Sequence, residues 1–69
     1  MNRGCLIKFL FHDADYFIGL TDRAAVRIGL VGGTCYDVPA GHAYYERIAE
    51  ATSRVEVEDL HDELTSCYL

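Results

Sequence analysis

Sixty-nine residues, 51% of them hydrophobic, with a net charge of −5, make a single small globular domain that is too apolar for disorder. Six Lys and Arg residues among that excess of acid disfavour direct nucleic-acid binding, which depends on cationic side chains meeting phosphates. No stretch approaches the roughly 18 apolar residues of a membrane span.

Residues 5–11, Cys-Leu-Ile-Lys-Phe-Leu-Phe, are short, apolar and aromatic, as suits a buried strand. Lys8 interrupts the run and His12-Asp13-Ala14-Asp15 ends it, so it lacks the uninterrupted apolar region of a secretory signal. A cytoplasmic protein with reduced thiols is expected. The His12–Asp15 segment predicts a hairpin turn, because Asp side chains bond nearby backbone amides. Residues 16–20 return as a second strand, and Thr21-Asp22-Arg23 is a second polar break. Residues 24–31 are ambiguous: Val26, Ile28 and Leu30 alternate with Arg27 and Gly29 as in a strand, while Thr21 as N-cap and two alanines would suit a short helix. The strand is favoured, and Gly32-Gly33 stops it.

Tyr36-Asp37-Val38-Pro39 is extended or turn-like, since the residue before a proline avoids the helical region. A helical period begins at residue 40 and runs to 52, with Tyr44 or Tyr45, Ile48, Ala49 and Ala51 on one side and Glu46, Arg47 and Glu50 on the other. Ser53 and Glu56 match a capping box. Val57, Leu60, Leu64 and Cys67 or Tyr68 then recur at three and four residues, predicting a second helix over about 54–66. The rival there is a short strand at 54–58 followed by a shorter helix.

The expected class is α+β: a small antiparallel β-meander of about three strands, over residues 4–31, packed against two C-terminal helices over residues 40–67. Its core would draw on Leu6, Phe9, Phe11, Phe17, Ile18, Val26, Ile28, Leu30, Tyr45, Ile48, Val57, Leu60 and Leu64. A domain this small is marginal without a staple. Cys5, Cys35 and Cys67 are an odd number and cannot close a disulfide framework, and no paired CxxC would hold zinc. A homo-oligomer, most simply a two-fold dimer, is the remaining supplement.

Cys35 and His42 are the residues for a nucleophile–base pair, and a small Cys-dependent enzyme is the alternative reading of function. Such a pair needs hydrogen-bond reach, an orienting third group and a pocket for which a small domain has little volume; the plainer reading is a small buried hydrophobe after a glycine turn. The glycine-rich run Gly29 to Thr34 lacks the Lys of a phosphate loop and the spacing of a dinucleotide fingerprint. His12, Asp13 and Asp15, or His42, His61 and Asp62, could ligate a metal only by pooling across subunits, since no HxxxH or HExxH spacing is present. No cofactor is expected.

The carboxylates carry the strongest signal. Residues 1–35 hold four basic side chains against three acidic; residues 36–69 hold two against eight. Five of those eight, Glu56, Glu58, Asp59, Asp62 and Glu63, lie in one eight-residue stretch, several at the three- and four-residue spacings where like charges destabilise a helix. The helix N-terminus offsets part of that for the first three. The plain reading is a solvated face that keeps a hydrophobic small protein soluble. The sharper one is an anionic ridge that docks on a basic protein surface, such as one that normally handles nucleic acid. Tyr44 and Tyr45, about 100° apart on a helix, can hardly both face one core, so one is expected to be exposed or at an interface, where tyrosine is favoured.

In size, acidity and lack of catalytic motif the whole chain resembles, in general character, the small inhibitors carried by phages and other mobile elements, such as anti-CRISPR proteins, and the antitoxin half of toxin pairs. That resemblance implies a non-enzymatic protein that binds and blocks a partner.

Overall fold

The computed structural model describes residues 6–68. Cys5 lies outside them, as do the side chains of Leu6 and Tyr68. The chain runs through four strands, β1 (Leu6–His12), β2 (Tyr16–Thr21), β3 (Ala25–Leu30) and β4 (Cys35–Pro39), and then two helices, α1 (Tyr45–Ala49) and α2 (Arg54–Tyr68). The strands form one antiparallel sheet in the order β1-β2-β3-β4, and both helices pack on one of its faces. The α+β class and the helix-on-sheet arrangement are as the sequence predicts, with one strand more. Among the described residues no helix is long and apolar enough to cross a membrane.

Each turn has a chemical cause. Asp13 closes the first hairpin: its Oδ1 accepts from the amides of Asp15 (2.9 Å) and Tyr16 (2.7 Å). Those two bonds hold its carboxyl below the usual carboxylate range. Thr21 closes the second, its Oγ1 accepting from the Arg23 amide and donating to the Ala25 carbonyl. Gly32, with φ of 77°, supplies the left-handed residue of the third, where side chains are disfavoured.

Ala24 also sits in the left-handed region, at φ 58°, in the turn before β3. A β-carbon there costs about 1–2 kcal/mol. Ala24→Gly relieves this and gives back about 0.4–1 kcal/mol in unfolded-state entropy, so a net gain near 0.5 kcal/mol, or about 2–4 °C in Tm, is expected. A thermal melt that falls instead would show that the turn carries no such strain.

The ambiguous segment at 24–31 is a strand because both its edges are paired: Val26 faces Leu20 on one side and Val38 on the other. Alternation sends Ile18, Val26, Ile28 and Val38 inward, where they meet Ile48, Ala51, Val57, Leu60 and Leu64. Tyr16, Val38 and Ala51 join the core without having been expected there; Phe11, Leu30 and Tyr45 pack against it half-buried. Phe9 and Phe17 correct the expectation. Phe9 is 55% exposed, and it meets Phe17 edge-on at 6.1 Å on the face away from the helices. For Phe9 the cause is a register shift between Phe9 and Phe11: the bulge turns Leu10 and Phe11 inward and Phe9 outward. Phe17 takes that face by plain alternation between the buried Tyr16 and Ile18.

Helix α1 is five residues long rather than the thirteen of 40–52. Pro39, Ala40 and Gly41 spend their backbone on a turn, in which His42 donates to the Pro39 carbonyl, and helix begins only after it. Helix α2 is one continuous element, which removes the rival strand at 54–58. Its capping box forms with a one-residue offset. The Glu56 amide donates to Ser53 Oγ (3.3 Å), while the Glu56 carboxylate accepts from the amide of Thr52 (3.0 Å).

Candidate functional site

Helix α2 buries Val57, Leu60, His61 and Leu64 against the sheet. With 100° per residue, the five carboxylates then fall into two rows on opposite flanks of that apolar stripe, not into one ridge. Glu56, Asp59 and Glu63 face α1. Glu58 and Asp62 face the first hairpin, where they lie close enough to Tyr16 for their charge to act on its phenol. Burial raises the Tyr16 pKa first, and these two carboxylates raise it further.

The row facing α1 borders a groove of about 330 Å3 between the two helices. Glu50, Glu56, Asp59 and Glu63 rim it with Arg47, over Ala51 and Leu60. Four carboxylates against one guanidinium give it a strongly negative field. Two of the four also serve the fold. Glu56 caps α2, and Glu63 accepts from the Tyr44 hydroxyl at 2.7 Å and sits 3.5 Å from the Arg47 guanidinium. The Glu63 bond raises the Tyr44 pKa, with burial adding to it, and Arg47 lies over the Tyr44 ring at 4.9 Å. Asp59 and Glu50 make no side-chain hydrogen bond or ion pair among the described residues. Sequence reasoning missed Arg47 and Glu50 as site residues. Their place on the polar side of α1 was visible, but their pairing with the α2 row depends on how the helices dock.

On the other flank, Arg54 pairs with Asp15 at 2.9 Å and lies over the Tyr16 ring at 5.5 Å. His61 is buried between Tyr16 (5.6 Å) and Tyr36 (5.4 Å), its Nε2 3.4 Å from the Thr34 carbonyl. It is a core residue. Tyr44 and Tyr45 are both half-buried against the core, although their adjacency suggested that only one of them could face it. The short α1 lets both lean on it.

Cys35 and His42 are not brought together. Cys35 opens β4, and His42 follows the turn at its far end, so with about 3.3 Å per strand residue they lie on the order of 13 Å apart. His42 Nδ1 is occupied by the Tyr44 amide at 3.0 Å. Cys35 is exposed as a residue, yet its Sγ lies 3.5 Å from the Gly33 carbonyl. Burial pushes that thiol up, more than the nearby Arg27 lowers it, away from the thiolate a nucleophile needs. The Gly29 to Thr34 run is the end of β3 and the following turn, and it opens no helix onto which a phosphate could dock. Among the described residues no three His, Cys, Asp or Glu side chains converge as a metal site. His12 stacks near Phe9 at 5.0 Å, while Asp13 serves the turn and Asp15 the Arg54 pair.

No protein-family model matches this chain, and no curated protein and no solved structure matches it.

Proposed function

We propose that the helical layer is an anionic docking surface and that the protein acts without catalysis, by binding and blocking a basic surface of another protein. The observation that carries this is the groove between α1 and α2, rimmed by four carboxylates from two elements. Neighbouring carboxylates repel, so assembling them costs stability. Capping accounts for Glu56, and the Tyr44 bond accounts for Glu63. Neither fold contact accounts for Asp59 or Glu50, and a basic partner would. Seven of the eleven acidic residues fall between Glu46 and Glu63, which gives the field that steers such a partner. A cationic surface that normally holds nucleic acid has the complementary chemistry. The small inhibitors of mobile elements and the antitoxins that this chain resembles in character act on partners of that kind.

The test is a variant carrying Glu50→Gln, Glu58→Gln, Asp59→Asn and Asp62→Asn, which leaves the capping Glu56 and the Tyr44-bonded Glu63 in place. The partner is first recovered with wild-type bait. Association is then measured at about 50 and 300 mM salt, where screening lengths differ more than twofold. Association of the wild type should be faster at low salt, and the variant should be slower by about tenfold with a flattened salt dependence, since charge complementarity acts mainly on the on-rate. Tm should hold or rise slightly as like-charge repulsion is removed. Equal rates for both proteins at both salts would reduce the carboxylates to a solubility feature.

A further inference from the structure

We propose that the helix-free face of the sheet is a self-association surface, on which a second copy of this chain docks face to face about a two-fold axis. Both helices lie on the other face, so this one is uncovered. At one end it holds an apolar depression of about 190 Å3, lined by Phe9, His12, Phe17, Val31 and Gly32. The large hydrophobic residues exposed among the described ones are Ile7 (66%), Phe9 (55%), Val31 (50%) and Val55. Of these, Phe9 and Val31 line that depression, and apolar side chains gathered on one face mark an interaction surface.

Charge selects a second copy as the occupant. Any two copies repel through their net −5, and that charge is concentrated on the helical layer. On the sheet face the Asp37 carboxylate is neutralised by a two-pronged pair with Arg27, at 2.6 and 2.9 Å. Face-to-face docking therefore sets the two carboxylate-rich layers as far apart as the molecule allows.

The edges are less suited than the face. Strand β1 shifts register twice, between Leu6 and Lys8 and between Phe9 and Phe11, and such bulges blunt an edge against continued pairing. Strand β4 is only five residues long and ends in Pro39, which has no amide to donate. The resulting dimer would turn its two acidic helical layers outward, presenting two copies of the groove at opposite ends.

Sedimentation equilibrium at about 1–100 μM, with reductant present so that Cys35 and Cys67 cannot cross-link, tests this. The wild type should sediment as a dimer. Phe9→Glu and Val31→Glu place like charges against each other across the two-fold, and each should raise the dimer dissociation constant at least about tenfold. Both positions are half or more exposed, so circular dichroism should show the parent fold. Glu58→Gln, on the other layer, should leave the dimer intact. A wild type of monomer mass throughout the range would overturn the proposal, as would a dimer that persists in both variants. Loss of the dimer in Phe9→Glu but not in Val31→Glu would also overturn it, and would assign the contact to the β1 edge.

Discussion

Ile48→Asp should abolish the cooperative unfolding transition. Ile48 is fully buried and is the one core residue that α1 contributes. A domain of 69 residues has roughly 3–10 kcal/mol of stability in all, at about 0.05–0.15 kcal/mol per residue. Deleting a buried isoleucine side chain costs about 2–5 kcal/mol, and leaving an unpaired charge in its place costs more still. The two together meet or exceed what is available. Ile48→Val should cost only about 0.5–1.5 kcal/mol and keep a sharp transition. The readout is thermal unfolding followed by circular dichroism beside the near-ultraviolet signal of the tyrosines. An Asp variant that melts like its parent would mean that α1 does not pack on the sheet.

The parts of this fold that could be read from the chain are those with local causes. Asp13 announces the first hairpin because its side chain can bond only to amides within reach along the backbone. Ser53, Glu56 and the three-four spacing of Val57, Leu60 and Leu64 announce α2 for the same reason. What stayed hidden depends on neighbours distant in sequence. Strand β4 buries only Val38, so it carries almost no apolar pattern, and its strand character comes from pairing with β3. Phe9 looks like a core residue until a bulge decides which face it takes, and Phe17 until the burial of Tyr16 and Ile18 on either side fixes the phase of β2. Helix α1 is over-read from its alanines and tyrosines because the turn through Gly41 competes for the same residues.

The candidate site divides in the same way. Its composition was legible, since five carboxylates within residues 56–63 cannot be missed. Its shape was not. Which carboxylates face α1, and that Arg47 and Glu50 join them, follows from the angle at which two helices meet. The separation of Cys35 from His42 likewise follows from β4 being extended, which puts a strand's length between residues only seven apart.

Gly29→Ala should lower Tm by about 5–20 °C, the equivalent of roughly 1–3 kcal/mol of overpacking in a domain of this size. Gly29 needs no left-handed backbone; its reason is space. It stands opposite Cys35 in the β3–β4 register, and a β-carbon there would lie 2.6 Å from the Thr34 carbonyl oxygen and 2.7 Å from both the Cα and the Sγ of Cys35. A thiol can rotate away, but two of the three obstacles are backbone. Moving them shifts the turn from Val31 to Thr34, whose carbonyl also meets His61 Nε2 at 3.4 Å, so the disturbance reaches the aromatic stack around α2. Cys35→Ala should therefore recover only part of the loss when combined with Gly29→Ala, and a double-mutant cycle between the two positions measures that part. Complete rescue would place the whole conflict in the thiol and show that the strand backbones can separate freely. A partial rescue, accompanied by weaker self-association because Val31 and Gly32 have moved, would tie the close approach of β3 and β4 to the shape of the sheet's open face.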